Sequence, residues 1–212
     1  MPEQLNINAL TTLERVKEEL GIDEENTNFD NALTRYINEA SGFIQSYIGR
    51  NIAFTENHVE VLGGSSDNYL LLKNRPIVNV NSVLRDEEEI EDYLENPDDY
   101  SSGMLYRDAG WPKSSYITGL VGDFHGKRRN YTVNYDYGYV LPKDVTEENP
   151  QTLPSDIEGI CIGLTCKKFK DTQRDNFGLK ELKQGRITYK FRDSDLTTGD
   201  FLILKRYRRV TI

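Results

Sequence analysis

Tyr36-Ile37-Asn38-Glu39-Ala40-Ser41-Gly42-Phe43-Ile44-Gln45-Ser46-Tyr47-Ile48-Gly49-Arg50-Asn51 closes one kind of structure and opens another. Up to Ile48 the apolar residues Leu33, Tyr36, Ile37, Ala40, Phe43, Ile44, Tyr47 and Ile48 recur at three- and four-residue spacing. That is the wide stripe of a helix packed on a core, and it predicts a helix over about residues 28–48. Gly49 is the stop, since glycine takes up left-handed backbone just past a helix end. Beyond it the period falls to two. His58-Val59-Glu60-Val61-Leu62 reads as a strand, so a β segment interrupts a helical chain here.

Towards the N-terminus, Leu13, Val16 and Leu20 have helical spacing, Gly21 is a stop, and Thr11 with Glu14 has the spacing of a capping box. Two such short helices cannot close a core alone and must pack on something further along.

In the β segment, residues 58–62 and 69–72 bracket Gly63-Gly64-Ser65-Ser66 like the arms of a hairpin. Pro76-Ile77-Val78-Asn79-Val80-Asn81-Ser82-Val83 alternates, and Gly103-Met104-Leu105-Tyr106 is a shorter candidate. Asp86-Glu87-Glu88-Glu89 reads as a solvated turn or a short helix start. Tyr131-Thr132-Val133-Asn134-Tyr135-Asp136-Tyr137 alternates strictly and puts Tyr131, Val133, Tyr135 and Tyr137 on one face, as cross-strand packing requires.

Pro142 and Asn149-Pro150 mark the return to helix. A third helix begins near Pro154-Ser155-Asp156-Ile157, with Ile157, Ile160, Cys161, Leu164 and Phe169 on its apolar side. After Asp175 the pattern weakens. Residues 186–191 suggest a strand and 201–207 a short helix. The fold class is α+β. A helical frame of three main helices has its first part in residues 1–50 and its third helix in residues 149–175. It carries an inserted antiparallel β domain in residues 51–148 and an extended C-terminal arm in residues 176–212.

At 212 residues, 37% apolar and 29% charged, the chain can bury a modest core. The net charge of −9 is unevenly spread. Residues 51–150 carry 9 basic and 18 acidic side chains, whereas residues 151–212 carry 13 basic and 8 acidic. The balance disfavours a simple nucleic-acid binder, which needs a basic face. The acidic part suits solubility, or acidic and basic parts that meet on neighbouring molecules, or a surface past which DNA slides without sticking. No stretch is apolar enough for a membrane helix, and Met1-Pro2-Glu3-Gln4 gives no sign of a secretory signal. Cys161 and Cys166 project from different sides of one helix, so no disulfide between them is expected.

The chemistry of catalysis is not visible. His58 and His125 have no metal-ligand spacing, and there is neither a phosphate loop ending in Gly-Lys-Ser/Thr nor a Gly-x-Ser-x-Gly elbow. The reading is that the chain is not an enzyme and uses no cofactor or metal.

The ordered set of elements resembles the head-to-tail connector proteins of long-tailed bacteriophages, also called adaptor or head-completion proteins. The resemblance is carried by residues 13–22 (Leu13-Glu14-Arg15-Val16 through Gly21-Ile22) and by Leu33 through Tyr47-Ile48-Gly49-Arg50-Asn51. It continues in Leu72-Lys73-Asn74-Arg75-Pro76-Ile77-Val78-Asn79-Val80, in Val133-Asn134-Tyr135-Asp136-Tyr137-Gly138-Tyr139 followed by Pro142, in Leu153-Pro154-Ser155-Asp156-Ile157, and in the ending Ile203-Leu204-Lys205-Arg206-Tyr207-Arg208-Arg209. It implies a structural protein of the virion neck, made in the host cytoplasm and added to the portal protein as a ring of twelve copies. Such a ring extends the DNA channel, lets DNA pass without sequence preference, and docks a stopper or tail-completion protein. No membrane partner is implied.

Lys205, Arg206, Tyr207, Arg208 and Arg209 are the candidate docking residues, for the portal or a neighbouring copy. They are positive in an acidic chain, and Tyr with Arg is a combination enriched at interface anchors. A final helix packed on the frame through Phe201, Leu202 and Leu204 is the alternative for this segment. For the whole chain the alternatives are a stopper or tail-completion protein, and a carbohydrate- or surface-binding module with Tyr131, Tyr135, Tyr137, Tyr139 and Trp111 as its platform.

Overall fold

The computed structural model describes residues 3–113, 129–173, 181–184, 187–190 and 196–208. In chain order the elements are α1 (Leu13–Leu20), α2 (Asp30–Ile48), β1 (Thr55–Leu62), β2 (Tyr69–Leu71), β3 (Ile77–Arg85), β4 (Glu88–Glu89), α3 (Pro97–Ser102), β5 (Met104–Tyr106), β6 (Tyr131–Tyr137), α4 (Ser155–Gln173), β7 (Glu181–Gln184), β8 (Ile187–Lys190) and α5 (Thr198–Tyr207). The fold is α+β. The chain divides into two compact units, one of Met1–Arg50 with Val140–Arg209 and one that contains Asn51–Tyr139.

The helical unit is built on α2 and α4. Ala9, Val16, Leu33, Tyr36, Ile37, Cys166 and Phe169 form its buried cluster, and Phe29 meets Phe169 edge-on with ring centroids 5.2 Å apart. The stripe of α2 is buried as its spacing predicts, at Leu33, Tyr36, Ile37, Ala40, Ile44 and Ile48. Phe43 departs from it and is 49% exposed. Gly49 caps α2 in left-handed conformation at φ 78°. The cap of α1 is Thr12, not Thr11; Thr12 accepts from the Arg15 amide. Thr11 is fully buried, and its hydroxyl donates to Glu158 at 3.2 Å. Burial therefore takes Thr11 away from the local role that its spacing suggests.

Buried charge at Glu158 and Lys17 is partnered. Glu158 holds the Arg15 guanidinium and accepts from Gln151 Nε2 at 2.8 Å. Lys17, 3% exposed, lies 2.7 Å from Asp30 Oδ1 and donates to the Glu24 carbonyl at 3.0 Å. Burying an ion is tolerated only with such compensation.

The β unit contains an antiparallel sheet in the order β1-β6-β3-β4 and a small antiparallel pair, β2 with β5. In β6, Tyr131, Val133, Tyr135 and Tyr137 are all buried, so one face of the central strand meets the core. Leu70, Leu72, Val80, Val83, Leu105 and Trp111 complete that core. Residues 58–62 and 69–72 are not the arms of one hairpin. β1 pairs with β6 and β2 with β5, because the segment between them closes on a distant partner, with Ser66 donating from its amide to the Trp111 carbonyl at 2.8 Å. Residues 86 and 87 are a two-residue turn at φ 50° and 79°, and pairing of Arg85 with Glu88 makes β4 the return strand. Gly138 sits at φ 100°, where a Cβ would come within 2.4 Å of the Ala53 carbonyl oxygen. Only glycine lets the chain leave β6 there.

Candidate interaction surfaces

Two charged surfaces are candidates for interaction, one on each unit. On the helical unit it is α5. Thr197 and Asp200 form a reciprocal capping box, with the Asp200 amide donating to Thr197 Oγ1 at 3.1 Å and the Thr197 amide to Asp200 Oδ2 at 2.7 Å. Leu204 is fully buried, and Phe201 packs on Tyr47 of α2 with ring centroids 5.5 Å apart. The Tyr207 hydroxyl donates to Asp156 Oδ1 at 3.0 Å, and Arg50 Nε donates to the Tyr207 carbonyl at 3.3 Å. The Arg208 guanidinium lies 5.8 Å from the Tyr47 ring centre.

α5 is thus a helix seated on the frame, and it follows the packed-helix alternative except that Leu202 faces solvent at 63% exposure. The docking candidates divide accordingly. Lys205 and Arg206 are exposed on the outer side, Tyr207 is half-buried against the frame, Arg208 lies beside Tyr47, and Arg209 is outside the described residues. Leu202, not singled out as outward-facing from the sequence, joins the outer face because i, i+3 and i+4 share one side of a helix.

On the β unit the surface is acidic. Residues 86–89, 91, 92, 95 and 98 are all carboxylates and all exposed, and Asp99 beside them is half-buried. Arg107 neutralises one of them, donating from Nε to Asp92 Oδ1 at 2.6 Å and from Nη2 to Oδ2 at 3.0 Å, and this hydrogen bonding lowers the Asp92 pKa. Tyr93 titrates above its ordinary value, first through burial and then through Glu95, Glu89 and Glu91. The Tyr100 hydroxyl is also pushed up, by burial and then by Glu95, and it is buried without a hydrogen-bond partner. Tyr100 lines a cleft of about 360 Å³ with Pro76, Ile77, Val78, Glu95, Pro97 and Ser101.

The aromatic platform does not exist as a surface. Trp111, Tyr131 and Tyr135 are fully buried, Tyr137 is 6% exposed, and Tyr139 alone of the five is half-buried. Trp111 Nε1 donates to the carbonyls of Asn68 and Leu105, and the Tyr135 hydroxyl donates to buried Glu60 at 2.9 Å. These rings are structural. Cys161 is fully buried beside Ser41, and desolvation pushes its thiol up to about 12, far from a nucleophile's range. Among the described residues no group of three or more His, Cys, Asp or Glu could hold a metal ion, and no helix is long and apolar enough to cross a membrane.

Among solved structures, the fold is similar to a chain from the neck of an empty GTA particle computed with C6 symmetry. The TM-score is 0.50 at 10% identity, over 99% of this chain and 94% of that one. A chain from the virion of a native gene transfer agent particle gives a TM-score of 0.49 at 12% identity, over 100% and 96% of the two chains. No curated protein sequence matches the chain. The family described as Head completion protein matches residues 9–209, which takes in both units and α5. The chain therefore belongs to the head completion protein family and is a structural component of a phage-type head-to-tail connector.

Proposed function

We propose that the chain is the adaptor that joins a portal to the rest of the neck. In this reading it assembles as a ring of twelve copies on the portal, extends the DNA channel, and offers the docking surface for a stopper or tail-completion protein. The observation that carries the reading is the family match from residue 9 to residue 209. That range takes in the β unit and the basic last helix. The similar fold in a neck computed with C6 symmetry accords with a ring. The basic end, Lys205 to Arg209, is the docking element, on the portal or on a neighbouring copy. A net charge of −9 keeps free copies apart and repels phosphate, so DNA passes without being held.

The test is to mix purified chain with purified portal and image the product by electron microscopy, with light scattering on the chain alone. The expected result is monomer alone and closed rings on portal. Deleting residues 205–212, and separately making Arg206→Glu with Arg208→Glu, should abolish the rings while helical circular dichroism is retained. Rings formed by both variants at wild-type affinity would overturn the docking role. Binding to tail components but never to portal would favour the stopper or tail-completion reading.

A further inference from the structure

The acidic cleft and the outer face of α5 are complementary in charge. The cleft has an apolar floor of Pro76, Ile77 and Pro97, and Val78 at its wall is 52% exposed. Glu95 lines it, and exposed Asp98 and half-buried Asp99 stand in the adjoining first turn of α3. The unpartnered Tyr100 hydroxyl is part of the lining. A matching occupant has one apolar side chain and two cations close beside it.

The outer face of α5 has that composition. Leu202 is 63% exposed, and Lys205 and Arg206 follow it by three and four residues, both exposed. The neighbouring apolar residues Phe201 and Leu204 are turned into the helix's own frame, so Leu202 is the knob left over. The chain as a whole repeats the pattern, with its acidic excess in the middle and its basic excess in the last third.

We propose that the outer face of α5 of one copy docks in this cleft on the β unit of the next copy, Leu202 entering the cleft and Lys205 and Arg206 meeting Glu95, Asp98 and Asp99. The proposal rests on the ring reading and names its subunit contact. A contact between two different patches runs head to tail and forms a ring where its rotation closes, as assembly on a portal would impose, whereas a patch that pairs with itself stops at a dimer. Desolvating the apolar centre supplies holding strength, and the charges supply register and speed of association.

The native cysteines Cys161 and Cys166 are buried, which leaves introduced thiols selectively reactive. A full-length chain carrying Val78→Cys and Leu202→Cys is assembled on portal and treated with a short bismaleimide. A ladder of cross-linked species up to ring size is expected. Mixing the two single variants should give dimers, and each single variant alone should give none. Lys205→Glu with Arg206→Glu should raise the concentration needed for rings at least tenfold, and adding Glu95→Lys, Asp98→Lys and Asp99→Lys to the same chain should restore it. Rings on portal without a ladder would overturn this contact and leave the adaptor reading standing. Cross-linking confined to one chain, or dimers from a single variant alone, would also overturn it. Failure of the wild-type chain to form rings would overturn the adaptor reading and this contact with it.

Discussion

The Tyr207 hydroxyl donates to Oδ1 of Asp156 at 3.0 Å, which ties the last turn of α5 to the first turn of α4. The pair separates two roles that the basic ending mixes in sequence. Tyr207 holds the helix down, while Lys205 and Arg206 are exposed to solvent. Tyr207→Phe keeps the ring and removes only the hydroxyl. It should lower unfolding stability by about 1.5 kcal/mol, the lower range for a hydrogen bond to a charged group. Urea unfolding followed by circular dichroism measures this, and an unchanged midpoint would show that solvent replaces the bond without loss.

Lys17 and Asp30 give a sharper stability test. The Lys17 side chain is 4% exposed and its Nζ lies 2.7 Å from Asp30 Oδ1, an ionic contact rather than a directed hydrogen bond. Asp30→Ala leaves a buried cation that still donates to the Glu24 carbonyl but has lost its counter-charge. Breaking such a pair from one side costs about 3 kcal/mol or more. Adding Lys17→Met to Asp30→Ala should recover much of the loss, since the buried charge is then gone. If the double variant is no more stable than Asp30→Ala alone, the pair is not what holds this corner.

What was legible in the sequence was periodic. The stripe of α2 and the alternation of Tyr131, Val133, Tyr135 and Tyr137 each follow from one element meeting one core, so the spacing alone carries them. Pairing partners were not legible, because β1 finds Tyr131 to Tyr137 and not the neighbouring residues 69–72, and local turn residues say only that the chain reverses. The roles of Thr11 and Asp156 were hidden for the same reason. Their partners, Glu158 and Tyr207, lie 147 and 51 residues away. In α5 the helix itself could be read from Phe201, Leu202 and Leu204, but not which of them would be left outside. That is decided by Tyr47 and Asp156 on other helices. The acidic run could be read as solvated, yet the cleft beside it needs β3 and α3 brought together.

Gly138→Ala should be strongly destabilising. The backbone is at φ 100°, and the new Cβ would stand 2.4 Å from the Ala53 carbonyl oxygen and 2.9 Å from that of Ile52. Neither backbone atom is free to retreat, so the loss should exceed about 2 kcal/mol. Gly42→Ala is the matched control, because nothing lies within 4 Å of a Cβ there and the site is an exposed helix position. It should raise stability by about 0.5–1 kcal/mol. Thermal unfolding of both variants checks the pair, and similar melting points would remove the steric argument at Gly138.

Alkaline pH should destabilise the helical unit through Cys161. Its thiol is fully buried against Ser41 Oγ at 3.4 Å, and desolvation raises its pKa from 9.0 to about 12. The unfolded chain loses this proton near the ordinary value, while the folded chain keeps it up to the raised one. Between them the folded state binds more protons, so stability is full below about pH 9 and falls as pH rises towards 12. One such group contributes a slope of at most about 1.4 kcal/mol per pH unit. Cys161→Ala removes that component, and its unfolding free energy should decline less steeply over this window than that of the wild type. Equal slopes for the two proteins would show that Cys161 does not hold its proton in the fold.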